Sequence, residues 1–167
     1  MRVISGKLKG RRIDGYNIEG TRPTMDRVKE SIFSMIQNYI PNALVLDLFS
    51  GSGNYGIEAI SNGANKVYFN DCNGKCVKVI KDNLINMNVQ ENGIITNLDY
   101  KKALELYKEK NIKFDLVFLD PPYKKLIINE ILDYLIKNNL LNKNSLVICE
   151  LTQKEEYLNK CICIIKI

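Results

Sequence analysis

Histidine is absent from this chain of 167 residues. Its absence excludes Ser-His-Asp and Cys-His nucleophile chemistry, and it also excludes a histidine general base. A zinc site would need thiolate or carboxylate ligands alone, and the five cysteines do not form paired Cys-x-x-Cys spacings. We therefore expect free thiols, some of them buried, and no metal site.

Long apolar runs are absent as well. No stretch approaches the ~18 residues that a membrane-spanning helix needs, and no basic-then-apolar leader opens the sequence. We therefore expect a cytoplasmic protein. With 46% hydrophobic and 26% charged residues, the chain has the composition of an ordinary globular domain.

Arginine is absent after residue 27. Residues 1–27 carry seven basic side chains against three acidic ones, whereas the other 140 residues carry 17 lysines against 16 acids. A basic segment on a nearly neutral body is typical of a surface that binds phosphates, and a solvated tail is the alternative. We predict a basic arm with short strands over residues 1–24 and one globular unit over residues 25–167.

The stretch from Phe114 to Tyr123, FDLVFLDPPY, is a short apolar run that ends in an acid, two prolines and an aromatic ring. The run predicts a strand buried on both faces, and Pro121 and Pro122 end it in a rigid corner. Such a corner directs the Asp120 carboxylate, a fixed carbonyl and the Tyr123 ring the same way. These groups suit a flat base that carries an amino group; a proline-rich turn with a solvated acid is the alternative.

The rest of the chain alternates between helical and strand patterns. Thr24 is predicted to be the N-cap of a first helix that Pro41 terminates, and residues 43–48 are predicted to be the first buried strand. Further strands are predicted at residues 66–69, 93–96, 114–119 and 145–149, and helices after residue 56 and at 74–88, 100–110 and 126–140. This alternation predicts a doubly wound α/β fold with a mainly parallel sheet.

A glycine-rich loop, GSGNYG at residues 51–56, follows the first strand and opens a helix. The G-x-G-x-x-G pattern is weak evidence by itself, because dinucleotide enzymes share it. Asp47 lies four residues before Gly51. An acid at this position disfavours a pyrophosphate and favours a ligand with a cationic sulfonium and an ammonium group.

Three further acids follow other strands of the predicted sheet. Asp71 lies 18 residues after Gly53, the spacing of a carboxylate that binds ribose hydroxyls in either NAD or S-adenosylmethionine sites. Asp99 follows the third strand, where it could accept a hydrogen bond from an adenine amino group. With Asp47 and Asp120, these acids predict a ligand site along one edge of the sheet.

Taken together, these residues resemble the RsmD-type 16S rRNA guanine-N2 methyltransferases. The resemblance is carried by RVISGKLKGRRI near the N-terminus, TRPTMDR at residues 21–27, LDLFSGSG at 46–53, the two acidic strand ends and FDLVFLDPPY, and it covers roughly residues 1–150. The combination with GTRPTMDRVKESIF is its most specific part, since many amino-methyltransferases share the glycine loop and the DPPY corner.

The resemblance implies the seven-stranded, Rossmann-like fold of the class I S-adenosylmethionine-dependent methyltransferases. It implies S-adenosylmethionine as the cofactor and a guanine of small-subunit ribosomal RNA as the substrate. The implied catalytic residues are Asp120, Pro121, Pro122 and Tyr123. The implied cofactor-binding residues are Asp47, Phe49, Gly51, Ser52, Gly53, Asp71, Cys72, Asp99, Tyr100 and Asp120. The implied RNA contacts are Arg2, Lys7, Lys9, Arg11, Arg12, Thr21, Arg22, Thr24 and Arg27.

The chain departs from this family pattern after Glu150. Only LTQKEEYLNKCICIIKI follows, which is enough for one helical turn and one strand. We therefore expect a shortened C-terminal strand pair.

Three other functions stay open on the residues alone. The same corner would serve adenine N6 in another nucleic acid, and only the N-terminal segment favours ribosomal RNA. A nucleotide-dependent oxidoreductase fits the glycine loop but leaves Asp47 and DPPY unexplained. An RNA-binding or assembly factor on a decayed methyltransferase fold would account for the short C-terminus, although the intact corner and glycine loop oppose decay.

Overall fold

The computed structural model describes residues 1–15, 23–121, 125–152 and 160–167. Helices and strands alternate along this part of the chain, as the sequence pattern predicted. The helices are α1 Pro23–Ile36, α2 Asn54–Ser61, α3 Gly74–Asn86, α4 Tyr100–Glu109 and α5 Lys125–Lys137. The strands are β1 Leu44–Asp47, β2 Lys66–Asn70, β3 Gly93–Thr96, β4 Phe114–Leu119, β5 Leu141–Thr152 and β6 Lys160–Lys166.

Six strands of the described chain form one sheet in the order β3-β2-β1-β4-β5-β6. The first five strands pair in parallel, and only β6 pairs antiparallel, against β5. The predicted α/β class with a mainly parallel sheet is confirmed. In the described part of the chain, β6 covers the edge that β5 would otherwise leave open.

Helices cover the sheet on both faces. One core cluster packs α1, α2, α3 and the N-terminal segment against one face, and a second packs α4 and α5 against the other. The central strands are therefore buried on both sides, and β4 has four consecutive buried residues after Asp115. This explains why β1 and β4 are near-continuous apolar runs rather than alternating ones.

The predicted starts of the first helix and of β5 were wrong, and α5 ends at Lys137 rather than at residue 140. Thr24 is not the N-cap of the first helix, because α1 already begins at Pro23. A proline has no N–H to leave unpaired, and its fixed φ suits the first helical position. β5 begins at Leu141 rather than Ser145, although its regular pairing with β4 resumes only at Leu146, after Asn144 with its positive φ of 65°.

The N-terminal segment, residues 1–15, is attached to the core. Val3, Leu8 and Ile13 are buried in the cluster that contains α1 to α3. Arg2 and Arg12 form an isolated antiparallel bridge, which brings the two ends of the segment together. Short extended pieces were predicted here, and the structure adds one turn of 3-10 helix at Gly6–Leu8.

Close packing of α2 on β2 depends on Gly56. A Cβ atom at this position would lie 2.2 Å from a ring carbon of Phe69 and 2.9 Å from a methyl carbon of Val67. We expect Gly56→Ala to destabilise the protein by about 1 to 3 kcal/mol, because the core has no room for the methyl group.

Urea unfolding measures this loss, with Gly74→Ala as the matched control. A Cβ at Gly74 would lie at an ordinary 3.5 Å from Asn97 Oδ1, so that substitution is expected to change stability little. Equal effects of the two substitutions would contradict the packing argument.

Candidate active site

The carboxyl ends of four adjacent strands each lead to one of the predicted acids. Asp47 is the last residue of β1, Asp71 and Asp120 directly follow β2 and β4, and Asp99 follows β3 by three residues. The sheet order β3-β2-β1-β4 therefore puts Asp99, Asp71, Asp47 and Asp120 in that sequence along one edge. Ligands of open α/β sheets bind at this edge, where the strand order reverses.

Asp47 is the most buried of the four acids, with 3% of its surface exposed. Its Oδ2 accepts a hydrogen bond of 3.0 Å from the Gly56 N–H at the start of α2. Burial raises the pKa of this carboxyl to about 7; the Gly56 N–H opposes the rise, and the negative charges of Asp120 and Asp71 add to it. Because it lies among other acids, this carboxyl favours a cationic ligand.

The glycine loop between β1 and α2 leaves its backbone accessible. Gly51 has a positive φ of 54°, and a Cβ built on it would meet nothing within 4 Å. Gly53 has a φ of 82° and occupies the N-cap position of α2, without a side-chain hydrogen bond to cap the helix. A ligand can thus approach the backbone closely beside the N-terminus of α2.

The Asp71 carboxylate is held against this loop. Its Oδ2 accepts a hydrogen bond of 2.9 Å from the Gly51 N–H, and its Oδ1 accepts one of 2.8 Å from the Asn73 N–H. Each carboxylate oxygen has further acceptor capacity, so a pair of ribose hydroxyls can still bind. The two backbone bonds orient the carboxylate for that purpose.

Two rings lie farther along the same rim. Phe49, just after β1, and Tyr100, at the start of α4, have ring centroids 5.7 Å apart at an interplanar angle of 47°. Asp99 caps α4, because its Oδ1 accepts a hydrogen bond of 3.0 Å from the Lys101 N–H. Cys72 is exposed beside Asp71. These groups suit the flat adenine ring of a nucleoside.

The DPPY corner is described as far as Pro121. Asp120 is exposed at the end of β4, and Pro121 is buried. Pro122 and Tyr123 lie outside the described residues. The aromatic ring behind the corner is Phe118, which stacks on Tyr55 of the glycine loop with ring centroids 5.2 Å apart. Phe118 also stacks on Phe33 of α1, so α1, α2 and β4 share one aromatic contact.

The predicted RNA-binding residues lie on the N-terminal segment and α1. Those described with their side chains are exposed: Arg2, Lys7, Lys9, Arg11, Arg12 and Arg27. Thr21 and Arg22 lie outside the described residues, and Thr24 is in the first turn of α1. Arg11 donates to the Asn86 carbonyl of α3 at 2.6 Å, and Arg12 pairs with Asp14 at 3.0 Å. The Arg11 contact ties the basic segment to α3.

Sequence reasoning missed a buried side chain that joins the loops of the site. Asn70, the last residue of β2, is 1% exposed and donates to the carbonyls of Leu48 and Leu98 at 3.3 and 3.0 Å. It also accepts a hydrogen bond of 2.9 Å from the Thr96 hydroxyl. Its place beside Asp71 was the only signal in the sequence, and an asparagine at a strand end usually indicates a turn.

Among the described residues, no group of three or more cysteine, aspartate or glutamate side chains could hold a metal ion. The helices of the same part of the chain include none long and apolar enough to cross a membrane.

The raised pKa of Asp47 predicts how stability depends on pH. An unfolded chain loses this proton near pH 4, whereas the folded protein loses it only near pH 7. The stabilisation that comes from the protonated Asp47 is therefore complete below pH 4 and is lost as the pH rises through 7. We expect Asp47→Asn to gain stability relative to the parent protein between pH 4 and pH 8, by up to about 4 kcal/mol. Urea unfolding across this range tests it, and a constant difference between the two proteins would contradict it.

The chain matches the model of a protein family described as "Conserved hypothetical protein 95" over residues 1–167. It is 36% identical over 161 residues to ribosomal RNA small subunit methyltransferase D of Haemophilus influenzae, covering 95% of this chain and 81% of that protein.

Two solved structures show the same fold. The first is the Thermus thermophilus hypothetical protein TTHA0928, with a TM-score of 0.83, 20% identity and coverage of 100% of this chain and 99% of the other. The second is a SAM-dependent methyltransferase from Agrobacterium tumefaciens, with a TM-score of 0.65, 17% identity and coverage of 85% and 49%. The family match and the shared motifs together show that the chain belongs to the family described as conserved hypothetical protein 95, the RsmD family.

Proposed function

We propose that this protein transfers a methyl group from S-adenosylmethionine to the exocyclic N2 of a guanine in 16S ribosomal RNA. The observation that carries the proposal is the row of four acids beside an open glycine loop, in a chain of the RsmD family. The substrate is the small ribosomal subunit or its RNA, so the protein acts in the cytoplasm. The reaction uses no metal.

The residues at the rim match the parts of S-adenosylmethionine. Asp71 binds the ribose hydroxyls, and Asp99 accepts from the adenine amino group near the Phe49 and Tyr100 rings. Asp47 and Asp120 provide the negative field that a cationic sulfonium and ammonium need. The open space at Gly51 supports close contact with the backbone of the glycine loop, to which Ser52 and Gly53 also belong. Cys72 follows Asp71 at the same rim. When bound, S-adenosylmethionine supplies an electrophilic methyl group on its sulfonium sulfur.

The DPPY corner holds the target amino group. The Asp120 carboxylate and the Pro121 carbonyl each accept one N–H hydrogen bond from guanine N2. These two bonds favour a more tetrahedral nitrogen, with its lone pair directed at the methyl group, although that lone pair is otherwise delocalised into the ring. No strong base is needed before transfer, because the methylated product loses its proton readily. The residues therefore act by positioning and electrostatics.

The target base must leave its helix or loop to reach this corner. Tyr123 would stack on the base once the base is turned out. Tyr123 and Pro122 lie outside the described residues. Arg22, Arg27 and the exposed basic residues of the N-terminal segment bind phosphates and orient the RNA. The exposure of Arg27 and of the basic residues on the N-terminal segment supports this role.

Asp120→Ala tests the catalytic assignment. We expect transfer of labelled methyl from S-adenosylmethionine to unmethylated small subunits to fall by at least about a hundredfold, because the amino group loses one of its two acceptors. Cofactor affinity, measured by calorimetry, should fall far less than the rate of transfer, because Asp47, Asp71 and Asp99 are unchanged. Asp82→Ala, an exposed acid on α3 far along the chain from the corner, is the matched control. Retained transfer by Asp120→Ala would refute the assignment.

The basic segment is tested by the salt dependence of RNA binding. We expect the double variant Lys7→Ala/Lys9→Ala to bind ribosomal RNA more weakly, and its slope of log K against log salt to be shallower by about 1.5, because two phosphate contacts are lost. Lys108→Ala/Lys110→Ala removes two exposed lysines at the end of α4, on the other face of the sheet. Equal slopes for the two double variants would show that the N-terminal lysines make no special contact with RNA.

A further inference from the structure

The N-terminal segment is joined to the glycine loop by the buried side chain of Asn83 on α3. Asn83 is 1% exposed. Its Oδ1 accepts from the Asp14 N–H at 2.9 Å, and its Nδ2 donates to the Asp14 carbonyl at 2.9 Å and to the Ser52 carbonyl at 3.2 Å. One amide group therefore holds the end of the N-terminal segment and the middle of the glycine loop at the same time.

A second buried side chain makes the same connection at the beginning of the segment. Lys29 of α1 is 0% exposed. Its Nζ donates to the Arg2 carbonyl at 2.9 Å and to Asn54 Oδ1 at 2.7 Å, and it pairs with Glu58 Oε2 at 3.0 Å. All three ammonium protons are thus used, which a buried lysine requires.

Glu58 of α2 completes this second connection. Its carboxylate accepts from the backbone N–H groups of Ile4 and Ser5 at 2.9 and 2.8 Å, and from the Ser5 hydroxyl at 3.0 Å. The buried Glu58 carboxylate thus has an ammonium group and several hydrogen-bond donors around it, so its charge is well compensated. These bonds hold Ile4 and Ser5 in a defined position against α2. The start of the segment is therefore attached to α2 and, through Lys29, to Asn54.

The two connections meet the glycine loop on either side of Gly53. Ser52 and Asn54 flank this residue, which has a φ of 82° and forms the N-cap of α2 without a side-chain cap. The Gly53 N–H donates to the Ser50 carbonyl at 2.7 Å, and the Gly53 carbonyl accepts from the Ile57 N–H at 2.8 Å. Glycine has no Cβ and can adopt many backbone conformations, so contacts to its two neighbours help to select this one. Asn83 bonds to Ser52 and also to Asp14, near the end of residues 1–15. Lys29 bonds to Asn54 and also to Arg2, near their beginning.

We infer that the N-terminal segment, residues 1–15, sets the conformation of the glycine loop that binds the cofactor, with Asn83 and Lys29 as the positioning residues. When either contact is lost, the loop spends part of its time in other conformations. The apparent affinity for the cofactor is then the intrinsic affinity multiplied by the fraction of molecules whose loop stays competent. The inference rests on the proposed cofactor, but it requires no contact between the segment and RNA.

Asn83→Ala tests the inference, and Asn86→Ala is its matched control. Asn86 lies on the same helix, its side chain is exposed, and its contact with the N-terminal segment is made by its backbone carbonyl, which accepts from Arg11. For Asn83→Ala we expect the KM for S-adenosylmethionine to rise about fivefold or more, the effect of one lost hydrogen bond. The kcat and the KM for small subunits should stay within about twofold of the parent values, and Asn86→Ala should resemble the parent protein.

A merely structural role would give a different result. Asn83→Ala would then lower the melting temperature and leave the KM for S-adenosylmethionine unchanged, or it would lower kcat and raise both KM values together. Either result would overturn the inference.

Asn54→Ala decides the question if Asn83→Ala does not fold. It removes the Lys29 contact with the loop, so the ammonium group loses one of its three acceptors. Lys29 keeps its ion pair with Glu58 and its bond to the Arg2 carbonyl, so neither buried charge loses its counter-charge. The same selective rise in the KM for S-adenosylmethionine is expected, and its absence in an active enzyme would refute the inference. If the parent protein itself neither binds S-adenosylmethionine nor transfers methyl, the proposed function fails instead.

Discussion

Parallel pairing of β3, β2, β1 and β4 in one fixed register is the constraint on which the site depends. Asp47 pairs in register with Phe69 of β2 and Phe118 of β4, so these strands end level with one another. The residues that follow each strand are thereby brought to the same edge. The glycine loop follows β1 at this edge and leads into the N-terminus of α2. A slip of one register position would turn every side chain of a strand to the other face and separate the acids.

Charge is divided between two parts of the molecule. The rim collects carboxylates around a buried Asp47, whose pKa near 7 records the difficulty of ionising there without a cation. The net positive charge lies in residues 1–27, which hold every arginine and carry seven basic side chains against three acidic ones. A cationic cofactor at the rim and a polyanionic substrate on the basic side are complementary to this division. The buried Lys29–Glu58 pair and Asn83 connect the two parts mechanically.

The sequence was sufficient for the sheet and the rim but not for these connections. Buried parallel strands are short apolar runs, and parallel strands bring their carboxyl ends together, so the acids could be placed before the structure was known. Asn83 and Asp14 are 69 residues apart, and Lys29 and Glu58 are ordinary charged positions on amphipathic helices. Such residues usually indicate solvent-exposed faces, and only the packing of α1, α2 and the N-terminal segment buries them. α1 begins at Pro23 rather than after Thr24, because the fixed φ of proline suits the first helical position, where its missing N–H costs nothing.

The most direct test of the central claim is nucleoside analysis after methyl transfer from S-adenosylmethionine. The protein would be incubated with unmethylated small ribosomal subunits, naked ribosomal RNA and DNA, with labelled cofactor in each case. The account predicts N2-methylguanosine from the ribosomal substrate. Methyladenine from any of the three would contradict the assignment to guanine, and cofactor binding without any methylated product would contradict the assignment as a methyltransferase.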